Sequence, residues 1–122
     1  MQDHITLGKK GEVIARQYLK EKGFQILKTN WRHENDEIDI VAMDGDELVI
    51  VEVKTRSTNY YGEPEEDVGS QKESFLIRAA EAYLDKYDLD IDCRFDIVAI
   101  ILNNDEKEIY HIEDAFYPLS RR

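Results

Sequence analysis

The stretch IDIVAMDGDELVIVEVKTR, residues 38–56, constrains the fold more than any other part of the chain. Residues 38–43 and 48–54 alternate or run apolar on either side of Asp44-Gly45, a two-residue hairpin signal, so two antiparallel strands are expected. Asp39, Glu52 and Lys54 interrupt these runs, although charge is disfavoured where strands are buried. With Asp44-Gly45 as the whole turn, Asp39 faces Ile50 and Glu52 is its diagonal neighbour; a four-residue loop sets Asp39 directly opposite Glu52. Either even loop puts both acids on one face, where cross-strand neighbours lie roughly 5–8 Å apart. A three-residue loop without a bulge separates them. Lys54 shares the face of Glu52 by the strand period of two.

The elements around this hairpin follow from periodicity. In residues 7–22, Leu7, Gly11, Ile14, Ala15, Tyr18 and Leu19 recur at helical spacing, and Gly23 suits the C-terminal cap. At about 100° per residue, Glu12 sits on the border of the apolar stripe while Lys9, Arg16 and Lys20 occupy the outer face. Residues 24–32 read as a short strand, and residues 57–69, with Gly and Pro and no period, as a long loop of the kind that often carries function. Ser70 and Glu73 have capping-box spacing, and Leu76, Ala79, Ala80, Tyr83 and Tyr87 form one face of a second helix reaching about residue 87. Residues 94–102 are a continuous apolar strand, NNDEK a turn, and residues 108–112 a shorter strand. The order αβββαββ predicts an α/β sandwich on a mixed sheet, because a helical connection between the third and fourth strands permits a parallel pair.

Composition bounds the function. A chain of 122 residues with 42% hydrophobic composition suits one domain, residues 1–122, with a real core. Sixteen Lys and Arg against 27 Asp and Glu give a net charge of −11, which argues against broad phosphate binding but leaves room for a local basic groove. The one cysteine, Cys93, and the absence of any Cys/His cluster point to a reducing compartment and away from zinc. The N-terminus lacks an apolar signal core and no run approaches a membrane span, so a cytoplasmic location without membrane contact is expected.

Two carboxylates and an ammonium converging at a strand end suit a hard divalent cation, Mg²⁺ or Mn²⁺, and a phosphodiester substrate. Taken alone, the spacing also fits an exposed sheet end with Asp39 and Lys54 in an ordinary ion pair. Glu12 can approach from the first helix. Lys72 lies on the inner face of the second helix in its first turn, where the helix dipole disfavours a cation unless an anion answers it. Arg56 extends the face of Glu52 and Lys54.

The segments GKKGEVIARQYLKEKGFQIL, NWR, DEIDIVAMDGDELVIVEVKTR, the loop leading to Lys72, AAEAYL, RFDIVAI and IEDAF together resemble the YraN family of small bacterial proteins, over nearly the whole chain and in order. That family is similar to archaeal Holliday junction resolvases within the PD-(D/E)XK, or restriction-endonuclease-like, superfamily. The resemblance implies a restriction-endonuclease-like three-layer sandwich and metal-dependent hydrolysis of nucleic acid, DNA above all, with a homodimer as one expected assembly. Its pattern places the site acids on Asp39, Glu52 and Glu12 and the site lysine on Lys54. The mechanism expected from this set has Asp39, Glu52, Glu12 and the main-chain carbonyl of Val53 on the metal, Lys54 at the attacking water, and Arg56 and Lys72 contacting phosphate. The family's usual glycine before EID is Asp36 here, which predicts an extra acid near the metal and an altered local backbone. Two further classes stay open at this stage: a nuclease-fold module that binds nucleic acid or a protein without cutting, and an acidic phospho-receiver domain, whose regular βα alternation this chain lacks.

Overall fold

The computed structural model describes residues 6–57, 69–103 and 106–116. Helix α1 spans Leu7–Glu21, strands β1 Gln25–His33, β2 Asp36–Asp44 and β3 Glu47–Ser57, helix α2 Ser70–Lys86, and strands β4 Cys93–Asn103 and β5 Glu106–Phe116. This is the expected order αβββαββ. The five strands lie in sequence order in one sheet, antiparallel except for the β3–β4 pair, which is parallel as the intervening helix predicts. Among the described residues, no helix is long and apolar enough to cross a membrane.

The local stops are those the chemistry requires. Thr6 caps α1 by accepting the Lys9 N–H at 3.2 Å. At its other end Gly23 adopts φ +97°, so that its N–H reaches the Lys20 carbonyl and the Phe24 N–H the Leu19 carbonyl. That pairing is a Schellman motif, and Leu19 and Phe24 share the apolar layer beneath it. Helix α2 differs from expectation: Gly69 is its cap and Ser70 its first residue, so the capping box is not formed as read. The 57–69 loop falls almost wholly outside the described residues, as do Asn104 and Asp105 of the expected NNDEK turn. Glu106 and Lys107 of that turn instead pair with Asn103 and Leu102, which extends β5 well beyond residues 108–112.

Both faces of the sheet are covered. Leu76, Ala79 and Tyr83 of α2 pack on Ile38, Val41, Ile50 and Ile97, while Ala15 and Leu19 of α1 pack on Ile40, Val49, Val51 and Val98. The central strand β3 is buried on both faces, which explains its continuous rather than alternating apolar sequence. The result is the three-layer α/β arrangement predicted above.

Strand β4 also carries two buried charges that its apolar character hides. Asp96 is 1% exposed and takes two hydrogen bonds from the Arg94 guanidinium, at 2.9 and 3.1 Å. It also pairs with His111 Nε2 at 2.7 Å and accepts the Asp114 N–H at 3.2 Å. Arg94 reaches on to Asp44 and Glu47 at the hairpin, while Tyr18 of α1 meets His111 Nδ1 at 3.0 Å. The network ties α1, the β2–β3 hairpin, β4 and β5 together. Burial by itself raises the Asp96 carboxyl, but the bonds from His111, Arg94 and Asp114 outweigh it and hold the group below the usual carboxylate range.

Candidate functional site

The hairpin sets the register on which the site depends. Its turn is Gly45-Asp46 rather than Asp44-Gly45: Asp44 pairs with Glu47 and Met43 with Leu48. Gly45 takes φ +63° while Asp46 keeps a negative φ, the pattern of a type II′ turn with glycine first. The register is therefore that of the second alternative, with Asp39 in line with Glu52.

The strands part at this point. The β2–β3 ladder ends at Ile40 and Val51, and beyond it the Asp39 carboxylate accepts the Val53 N–H at 2.8 Å, standing in for the missing backbone acceptor. Ile38 and Ile40 fall in opposite apolar layers, so the alternation of β2 is interrupted at Asp39. Across the sheet, Asn30 of β1 sits at φ +50° between the Thr29–Ile40 and Trp31–Ile38 pairs. The irregularity turns the Asn30 amide toward Glu12, whose Oε1 it meets at 3.4 Å. Asn30 was not singled out from the sequence; an Asn before NWR's aromatic, at a strand position needing left-handed backbone, is its one signal.

Glu12 arrives by a close approach of helix to sheet. A Cβ on Gly11 would overlap the Thr55 side chain, with Thr55 Cβ at 2.8 Å and Cγ2 at 2.9 Å. Glycine is thus what lets α1 lie on β3, and the next residue is carried to the strand end. The Glu12 side chain is 20% exposed and also has Lys9 at 4.0 Å.

Glu52 is 5% exposed, on the α2 side of β3. Its Oε2 is flanked by Lys54 and Lys72, each at 3.6 Å. Lys72 in the first turn of α2 is therefore answered by a carboxylate of the protein. Lys54 pairs with Glu52; among the described residues it makes no ion pair with Asp39, so the simple Asp39–Lys54 pair is not formed. Glu52 Oε1 is buried with no hydrogen-bond partner. Arg56, two residues beyond Lys54, turns its guanidinium onto the Thr55 carbonyl at 2.9 Å. Asp36 does not add an acid to the group as expected: Arg78 of α2 grips its carboxylate through Nε at 3.2 Å and Nη2 at 3.0 Å. Nor does Asp36 need glycine's backbone freedom, since the left-handed residue of that turn is Glu34, at φ +56°.

The electrostatics record the convergence. Burial, then the charge of Glu52 and further that of Glu12, pushes the Asp39 carboxyl up to about 7 against the opposing pull of the Val53 N–H and Lys72. Like charges held together with one orphaned carboxylate oxygen are what a cation relieves. Among the described residues, no three or more His, Cys, Asp or Glu side chains are grouped so as to hold a metal ion by themselves, so a cation here would draw on the main chain and on water. The donor set is oxygen-only, which fits Mg²⁺ or Mn²⁺, since magnesium usually keeps several waters and takes one or two protein carboxylates.

Comparison with known proteins gives the chain its relatives. The model of uncharacterised protein family UPF0102 matches residues 11–100. A UPF0102 protein of Bacteroides thetaiotaomicron is 48% identical over 97% of this chain and 98% of its own length. UPF0102 proteins of Flavobacterium psychrophilum and Christiangramia forsetii are 45% and 44% identical, each over 96% of this chain and 98% of theirs. With the matched span running from Gly11 beside Glu12 through the hairpin to the end of the β4 core, the chain belongs to the UPF0102 family, the YraN family that its motifs resemble.

Proposed function

We propose that the protein is a metal-dependent nuclease that hydrolyses nucleic-acid phosphodiesters, with branched DNA among its candidate substrates. The observation that carries this reading is the buried, unpartnered Oε1 of Glu52 beside an Asp39 carboxyl raised to about 7, with two lysines at the same strand end. Asp39 and Glu52 would hold Mg²⁺ or Mn²⁺ with the Val53 carbonyl, and Glu12 would complete the set directly or through water. When bound, such a cation supplies Lewis-acid charge at a phosphoryl group and acidifies water.

The chain's own groups do the rest. Lys54 orients the attacking water by donating a hydrogen bond and stabilises the charge that develops on the phosphate. Val53 holds Asp39 in place through its N–H, so the carboxylate stays aimed without a flexible linker. Lys72, 3.6 Å from Glu52 in the first turn of α2, would contact a phosphate beside the N-terminus of that helix. Arg56 extends the same cationic edge.

The self-neutralised state of Glu52, with Lys54 and Lys72 already on its Oε2, favours a second reading: a nuclease-fold module that binds nucleic acid or a protein without cutting. A panel of branched, flapped and linear DNA incubated with Mg²⁺ or Mn²⁺ separates the two. Cleavage lost in Lys54→Ala supports the enzyme; intact substrates throughout, with no Mn²⁺ heat at millimolar metal, support the binding module.

A further inference from the structure

We propose that the outer face of α1 is a second contact for nucleic-acid backbone, a basic track that leads away from the strand end where Glu12 sits; this rests on the nuclease reading above. Residues 7–22 carry five Lys and Arg against two acids, Glu12 and Glu21, in a chain that carries 16 against 27 overall. The cations are not scattered. At about 100° per residue Lys9, Arg16 and Lys20 fall within roughly 40° of one another, with Lys10 to one side. They form a line about 16 Å long, at about 1.5 Å per residue, that starts a turn before Glu12 and runs down the helix.

The face is open and, apart from Lys9 with Glu12 at 4.0 Å, its charge is uncompensated. Lys9, Lys10 and Lys20 are exposed and Arg16 is partly so. Among the described residues, no carboxylate makes an ion pair with Lys10, Arg16 or Lys20, and the Glu21 carboxylate accepts a hydrogen bond from Gln17 at 3.1 Å. Cations left unpaired on an acidic protein have an anion as their natural partner. A linear array suits a linear polyanion, and the placement beside Glu12 suits one that continues into the site. Ala15 and Leu19 commit the inner side of α1 to the core; Leu7 and Val13 stay exposed, Val13 among the cations, but two residues make no continuous apolar face of the kind that interfacial helices bury.

Salt dependence of binding tests this without needing cleavage. A labelled four-way DNA junction is titrated with the full chain in EDTA over about 50–200 mM KCl, a range in which backbone contacts dominate the salt response. Arg16→Gln with Lys20→Gln is expected to weaken binding and to reduce the slope of log K against log salt by about 1.8, at roughly 0.9 per phosphate contact. Lys28→Gln with Lys86→Gln removes the same charge from the far side, where both lysines lie over the Tyr87 ring, and is expected to leave the slope unchanged. Equal loss in both pairs, or no loss in the α1 pair, overturns the proposal, as does binding of anionic phosphatidylserine vesicles in place of DNA. An unchanged α1 slope together with Mn²⁺-dependent cleavage would sink the track alone; absence of both DNA binding and cleavage would sink the nuclease reading with it.

Discussion

The Val53 N–H donates to the Asp39 carboxylate at 2.8 Å at the point where β2 leaves β3. That bond holds the half-buried acid in line with Glu52, and loss of solvent around it, with the charges of Glu52 and Glu12, outweighs the bond and pushes its carboxyl up to about 7. The site therefore stores repulsion, and this has measurable consequences.

Removing the Asp39 charge should stabilise the metal-free fold. Between about pH 4 and 7 the unfolded chain has lost this proton while the folded chain retains it, so stability falls as pH rises and the cost is complete above about 7. Asp39→Asn keeps an oxygen for the Val53 N–H. It should gain on the order of 2 kcal/mol over wild type at pH 8, roughly a third of that at pH 5 and almost nothing by about pH 3, read by urea unfolding in EDTA. Equal gain at all these pH values would remove the titration from the explanation.

The same proton opposes cation binding. Mn²⁺ affinity measured by calorimetry should weaken as pH drops below about 7, and binding at pH 6 should release protons that buffers of different ionisation enthalpy reveal. Asp39→Asn removes the ligand together with its proton, so it should weaken Mn²⁺ binding and leave no proton release in the binding that remains.

Gly11→Ala poses two opposed effects. Alanine favours a helix by about 1 kcal/mol, whereas overlap with Thr55 typically costs about 1–3 kcal/mol. The clash should win, lowering the melting temperature and, by lifting Glu12 from the strand end, reducing cleavage more than stability. Thr55→Ala with Gly11→Ala, which removes the Thr55 Oγ1 and Cγ2 that meet the new Cβ, should recover part of both.

Asp96→Asn should destabilise by about 3 kcal/mol, since it leaves Arg94 buried without its principal counter-charge. The depressed Asp96 carboxyl contributes stability that is present above its ordinary value and lost as pH falls through its folded one. The gap between wild type and variant in denaturant melts should thus narrow below about pH 4.

The parts of this molecule written in local periodicity were legible in its sequence. The hairpin, both helices and the parallel β3–β4 pair follow from spacing, Gly23 and Gly45. The apolar alternation also brought Asp39 and Glu52 to one register, though the turn lies one residue later than Asp44-Gly45 because Gly45 takes the first central position. What escaped depends on distant partners. Arg94 and Asp96 alternate within an apolar strand, a signal of period two that was available, but Glu47 and His111 come from elsewhere in the chain. Asn30 reaches Glu12 only because its backbone is left-handed, and the reach of Glu12 itself depends on contact between Gly11 and Thr55. Asp36 was misplaced for the same reason: its partner, Arg78, is on another element.

Single-turnover cleavage of a labelled four-way DNA junction with Mn²⁺, comparing wild type with Glu52→Gln, tests the central claim most directly. The exchange is nearly isosteric and keeps the fold, which melting curves check, while removing the charge that a cation at Oε1 needs. The account predicts metal-dependent cleavage by wild type, abolished by EDTA, and a loss of at least about 100-fold in the variant, about 2.7 kcal/mol of transition-state stabilisation. Cleavage at the wild-type rate by Glu52→Gln, or none by a folded wild-type chain on any branched or linear substrate, would contradict it.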